Sequence, residues 1–283
     1  MTTQLPVEAS VDGGARPAVA GASRRASLPW GTWAASLGVL IILVGVWDLL
    51  TRWETIDPII VPTPWSVADA TWTLMGEGFF YRHLWVTTAE VLLGFGIGVF
   101  LGCGLGIVLG LSDRTRRVMS PYVVAFAGLP KVVLAPLFIT AFGFGMSSKV
   151  VMAVTICFFA LLVNTQLGLT SVDPEARRLM ASLNASRRDV FFKLSVPHSL
   201  PLVFAGMKTA LSLALVGAIV GEFVGASSGL GYLLSQYSYQ LAVPLVWSIT
   251  FVLALMGIVL YVMIEWLDRK IVHWAQPQGR GSE

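Results

Sequence analysis

VLLGFGIGVFLGCGLGIVLGL, residues 91–111, decides the architecture. The stretch contains no Asp, Glu, Lys or Arg, and as a helix it covers about 30 Å, the thickness of a bilayer's hydrocarbon core. Gly94, Gly98, Gly102, Gly106 and Gly110 recur every fourth residue and fall on one stripe, with Gly96 and Gly104 beside it. In lipid, helices associate by close backbone packing, so the stripe marks a face where a neighbour approaches closely. A helix that slides or tilts along that face during gating is the other reading.

Comparable apolar windows lie near 31–51, 85–111, 118–142, 149–170, 201–224 and 243–266. Of the 283 residues, 55% are hydrophobic and only 12% charged, a composition suited to lipid as solvent. The expectation is an all-α, polytopic membrane bundle of six transmembrane helices. Residues 1–28, rich in Ala, Gly, Pro and Ser, read as a disordered cytoplasmic tail, 29–275 as the membrane domain, and 276–283 as a second cytoplasmic tail. The first window ends in Trp47, Asp48, Arg52 and Trp53 without a small-residue cleavage site, so it reads as a retained span.

Orientation follows from the basic residues. Arg16, Arg24 and Arg25 precede the first span, Arg114, Arg116 and Arg117 follow the second, Arg177, Arg178, Arg187, Arg188 and Lys193 follow the fourth, and Arg269, Lys270 and Arg280 end the chain. Alternate loops are basic, which places both termini in the cytoplasm. The intervening loops carry Arg52 and Arg82, then Lys149, then no charge between Gly225 and Val243. Basic residues so distributed set membrane orientation and give no reason to expect nucleic acid as a partner. In the first outer segment, IDPIIVPTPW suits an extended stretch at the interface, followed by an amphipathic helix around Ser66–Met75.

No catalytic constellation stands out. His83, His198 and His273 are scattered, and Walker-type and HExxH spacings are absent. Cys103 and Cys157 sit inside apolar segments as small hydrophobes, so neither a disulfide nor a metal site is expected. Ionisable groups within apolar spans are costly and invite a functional hypothesis. Lys131, between Pro130 and Pro136, either lines a path or braces a helix bend; Glu222, in AIVGEFVGA, either lines or gates a path or pairs with a neighbouring helix. Glu90 is expected to reach the interface.

The long basic loop VDPEARRLMASLNASRRDVFFKLSVPHSLPLVFAGMK, residues 172–208, carries the most information. Asp173 caps a helix that opens with Pro174 and Glu175; Asn184 takes the left-handed turn that ends it; Ser186 caps a second helix through Phe191 and Phe192. Leu179, Met180, Phe191 and Phe192 then form a small apolar face among arginines, suited to a cleft in another protein.

This loop, together with LPKVVLAPLFITAFGFG (129–145) and VGEFVGASSGLGYLL (220–234), resembles the permease subunits of binding-protein-dependent ABC importers, in the nitrate, taurine and sulfonate group with its pyrimidine and riboflavin-precursor branch. That family's coupling motif usually reads EAA followed by a glycine; here Arg178, Leu179 and Met180 stand in the triplet and Asn184 in place of the glycine, while Ala185, Ser186, Pro197 and Pro201 match. Glu175, one helical turn earlier, is the candidate substitute for the missing acid. The resemblance implies a type I importer fold in a bacterial inner membrane, a homodimer around a central path, and an extracytoplasmic solute-binding protein. It further implies a pair of ATPase subunits, which hold ATP and magnesium, docked on the loop 172–198; this chain then binds no cofactor. Glu175, Arg178, Leu179, Met180, Asn184, Ala185, Ser186, Arg187, Phe191 and Pro197 are the expected coupling residues, Lys131 and Glu222 the expected path or gate. A membrane scaffold and a proton-driven secondary transporter acting through Glu222 are the competing readings.

Overall fold

The computed structural model describes residues 29–53, 57 and 60–274; the tails expected at 1–28 and 276–283 lie outside the described residues. Contacts divide the chain at Trp47 and Asp48 into two units. The first holds most of α1 (Pro29–Arg52), an apolar helix long enough to span a bilayer and closed by an Arg52–Asp48 ion pair at 2.7 Å.

The second unit contains α2 (Pro64–Gly76), α3 (Gly78–Leu111), α4 (Asp113–Ala127), α5 (Ala135–Phe142), α6 (Met146–Thr170), α7 (Pro174–Ser182), α8 (Arg187–Val190), α9 (Val196–Gly225), α10 (Leu230–Tyr239) and α11 (Val243–Ile271). No strand occurs among the described residues. Among the described residues five helices are long and apolar enough to cross a membrane, or six if one bent pair counts as a single span.

That bent pair corrects the continuous span expected over 118–142. α4 meets the segment Lys131–Phe142, a 3-10 turn (Lys131–Leu134) followed by α5, at 79°. Pro130 donates no amide hydrogen and excludes Leu129 from helical backbone angles, so α4 stops at Gly128 and the chain turns before resuming. Lys131 sits in this corner, its Nζ donating to the Ala127 carbonyl at 3.1 Å and lying 4.9 Å from the centroid of the Phe159 ring.

α6 is the central helix, packed between α3 and α9. Each ladder glycine of α3 faces one residue of α6: Gly94 meets Ala153, Gly98 Cys157, Gly102 Leu161, Gly106 Thr165 and Gly110 Leu169. Both series advance by four, so the two helices stay in register along five contacts. A Cβ at any of these glycines would come within 3.0 Å of its α6 neighbour. On the α9 side the arrangement repeats, with Gly217 against Ala153, Gly221 against Lys149 and Gly206 against Asn164. Small residues on α3 and α9 thus let three helices approach as closely as backbones permit. α2 buries Val67 and Leu74 and joins α11 through a 2.8 Å hydrogen bond between the Thr71 and Ser248 hydroxyls, while Trp65 and Trp72 stay exposed.

Candidate functional site

Polar groups gather at both ends of α9. At its C-terminal end, Glu222 is 1% exposed and reaches across to the start of α10. The first amides of any helix lack partners within the helix, and α10 begins at Gly229, which has no side chain to cap them. Glu222 supplies the cap from α9: its Oε2 accepts from the Gly231 amide at 2.5 Å, and its Oε1 accepts from the Thr87 hydroxyl at 2.6 Å. Thr87 Oγ1 in turn accepts from the Leu230 amide at 2.7 Å. A carboxylate here is also favoured by the helix dipole. His83, one turn before Thr87, accepts the Gly229 amide on Nδ1 at 2.9 Å and stacks on Tyr232.

Two further ionisable groups join this cluster, and both correct the sequence reading. Glu90, expected at the interface, is 2% exposed and within hydrogen-bonding reach of the Glu222 carboxyl. Lys149, expected in an outward loop, is 1% exposed in the first turn of α6. Its Nζ donates to the Phe144 carbonyl at 2.6 Å and to the Gly225 carbonyl, where α9 ends. The reason is topological: the segment from Ala226 to Gly229 folds over the ends of α3 and α6, so residues near span termini become interior. The signal was present in register. His83, Thr87 and Glu90 continue the stripe of Gly94 and Gly98 at spacings of four, three and four, and Lys149 continues the stripe of Ala153 and Cys157.

Of the two expected path residues, the structure brings Glu222 into this cluster and leaves Lys131 outside it. Phe159, which Lys131 overlies, is about 15 Å along α6 from Lys149 by helical rise.

At the opposite end of α9, the loop 172–198 folds into α7, a left-handed turn and α8. Asp173 accepts the Glu175 amide at 2.8 Å, and Pro174 opens the helix. Asn184 has φ +52°; its amide bonds to the Ala181 carbonyl, and the Ala185 amide bonds to the Met180 carbonyl at 3.0 Å, a Schellman closure. Ser186 and Asp189 form a reciprocal capping box on α8. Lys193, 2.6 Å away, and Ser186 pull the Asp189 carboxyl down to about 2, so this box stays charged through the physiological range. A π-turn, Phe191–Ser195, leads into α9.

Leu179, Leu183 and Phe192 are the exposed apolar residues of this element; Met180 and Phe191 are half-buried. Arg178, Arg187 and Arg188 surround them on the surface. Hydrogen bonds tie the loop to the bundle. Arg177 donates to the Leu169 carbonyl at the end of α6 at 2.8 Å. Trp274 Nε1, just past α11, donates at 3.3 Å to the Pro197 carbonyl, which Pro201 cannot satisfy for want of an amide hydrogen.

A family model described as "Binding-protein-dependent transport system inner membrane component" matches residues 94–273. The chain is 33% identical over 238 residues to the formylaminopyrimidine transport permease protein ThiX of Halalkalibacterium halodurans, covering 84% of this chain and 94% of that protein. It is 33% identical over 235 residues to the riboflavin transport system permease protein RibX of Chloroflexus aurantiacus, covering 83% and 88% respectively. Among solved structures, a chain of the inward-facing MetNI methionine ABC transporter superposes with a TM-score of 0.58 at 18% identity, over 69% of this chain and 95% of that one.

Proposed function

Since the chain belongs to the family of binding-protein-dependent transport system inner membrane components, a multi-pass permease subunit of an ABC importer for small solutes, we propose that it couples to a separate ATPase through the loop 172–198 and forms the path for a small polar or anionic organic solute. The observation that carries the coupling is the α7–α8 element, with Leu179, Leu183 and Phe192 exposed among arginines at one end of a continuous helix. An apolar face of this size within a charged rim is shaped for a cleft in a partner protein.

Six spans follow if α4 and α5 together cross the membrane once, with both termini and the loop in the cytoplasm. The working unit is a homodimer with two ATPase subunits, which hold ATP and magnesium, and an extracytoplasmic binding protein that delivers solute. α9 runs unbroken from Val196 to Gly225, about 45 Å of helix. ATP-driven closure of the ATPases moves the docked loops, and α9 carries that displacement to Glu222, whose hold on α10 is the outer gate. Lys131, at the corner of the broken span, lies at middle depth beside the path. The transition is a rigid-body switch between two packings.

The test is a mild-detergent pull-down of the tagged chain from native membranes, beside a Leu179→Asp, Phe192→Asp double variant. Recovery of an ATP-binding protein with the wild type and its loss with the variant supports the reading. If no ATPase is recovered under any mild condition, the coupling proposal fails.

A further inference from the structure

Ala135 and Phe138 of α5 share a packed cluster with Met152 and Ile156 of α6 and with Leu213 and Val220 of α9. α5 therefore covers one side of the α6–α9 pair, and the helical spacing shows what continues on that side past α5. On α6 the stripe of Met152 and Ile156 runs on to Phe159, Val163 and Gln166; on α9 the stripe of Val220 and Leu213 runs on to Thr209, with Val216 and Ser212 beside it. This continuation is uncovered: Val163, Val216, Ser212 and Thr209 are exposed. Gly206 meets Asn164 and Gly217 meets Ala153, so the two helices run antiparallel and Ser212 lies level with Phe158. Lys131 stands over the same level, its ammonium against the Phe159 ring.

The charge around Lys131 is unbalanced. α5 has no charged residue and α6 has Lys149 alone; on α9, Lys208 is paired with Asp268 at 2.8 Å and Glu222 is engaged by Thr87 and the Gly231 amide. Asp113, the acid of α4, lies at the far end of that helix, about 20 Å from Ala127 by helical rise. The Ala127 carbonyl and the Phe159 face hold the ammonium without neutralising it. A charge at middle depth in a membrane bundle faces a partner or a water-filled cavity, because lipid solvates it poorly.

We propose that this stripe is a wall of the solute path and that Lys131, with Ser212 beside it, is the contact for a negatively charged oxygen group of the solute, such as a carboxylate or sulfonate. The inference rests on the permease reading above and narrows its solute to an anion.

The experiment introduces Ser212→Cys into the full chain in lipid nanodiscs. Its modification rate is measured with two thiol reagents of similar size, the anionic sulfonatoethyl methanethiosulfonate and the cationic trimethylammonioethyl methanethiosulfonate, after subtracting the background of Cys103 and Cys157 in the wild type. Both are expected to react, because the stripe is wet. Lys131→Met is expected to lower the ratio of the anionic to the cationic rate roughly two- to tenfold, the effect of removing one nearby charge in a medium of intermediate polarity, and Lys131→Arg to preserve it. Added salt is expected to lower the same ratio while Lys131 is in place, a readout that stands even if Lys131→Met does not fold. A cysteine at 212 inert to both reagents overturns the path wall. A ratio unchanged by Lys131→Met, or by salt where that variant does not fold, overturns the anion contact and leaves Lys131 as a brace of the α4–α5 corner. Either failure with an ATPase still recovered in the pull-down removes this contact alone and leaves the permease reading standing.

Discussion

Leu241 holds φ at +55°, between α10 and α11, and is 75% exposed. Its amide bonds to the Ser238 carbonyl and the Ala242 amide to the Tyr237 carbonyl, the same closure that Asn184 makes after α7. A side chain with a Cβ is strained there by about 1–2 kcal/mol, and an exposed leucine has little packing to offset it. Leu241→Gly is therefore expected to stabilise the protein by about 1 kcal/mol in thermal unfolding. At Asn184, glycine is expected to be neutral or slightly stabilising and valine to cost about 1–2 kcal/mol, with weakened ATPase recovery because α7 and α8 lose their relative angle. Gly229 is more constrained than either. It has φ +115°, and a Cβ would run into the Glu222 carboxyl. Gly229→Ala is expected to lower the melting temperature well beyond Gly145→Ala, whose added methyl meets nothing within 4 Å. Asparagine at 184 announced its turn in the sequence because its short polar side chain tolerates the left-handed region. Leucine at 241 announced nothing, because the Schellman bonds of its neighbours, and not its own chemistry, impose the angle.

The pairing of α3 with α6 depends on which face of the helix a glycine occupies. Gly106 meets Thr165 and the Leu162 carbonyl at distances a methyl could not share, whereas Gly104 meets nothing within 4 Å. Gly106→Val is expected to force the helices apart and reduce folded yield and melting temperature sharply, since overpacking costs about 1–3 kcal/mol or more when backbone must move. Gly104→Val in the same helix is expected to leave both close to wild type. The stripe itself was legible in residues 94–110, because a spacing of four needs no tertiary information. The break at 128–130 was legible only as the prolines Pro130 and Pro136, since sequence does not say whether a proline kinks a span or splits it by 79°. Glu222 was singled out as an intramembrane acid, but its partners Thr87 and Glu90 stand more than 130 positions away, joined by a fold that brings α10 over α3. Glu90 and Lys149 sit near span ends, where sequence alone favours the interface, and only the covering segment 226–229 makes them interior.

For the molecule as a whole, the two ends of α9 differ in their basic residues. Arg177, Arg178, Arg187, Arg188 and Lys193 precede it, and no charged residue occurs from Ala226 to Ala242 after it. The positive-inside rule predicts that a loop with that many arginines stays in the cytoplasm, which under the proposed function puts the α7–α8 element on the ATPase side and the α10 end outside. Thiol labelling with a membrane-impermeant maleimide tests the assignment directly. Both native cysteines lie in spans, and Cys157 is buried against Gly98, so single cysteines introduced on the loops report above a low background. Ser182 and Gln240 are exposed and lie on opposite sides of α9 in the chain. Ser182→Cys is expected to label in inside-out vesicles and to resist the reagent in right-side-out ones, and Gln240→Cys to do the reverse. Labelling of both from the same side would mean that α9 does not cross the bilayer, and the transmission from coupling loop to the Glu222 clasp would lose its physical basis. The inverse pattern would leave α9 as a span but put the arginine-rich face outside the cell, out of reach of any ATPase.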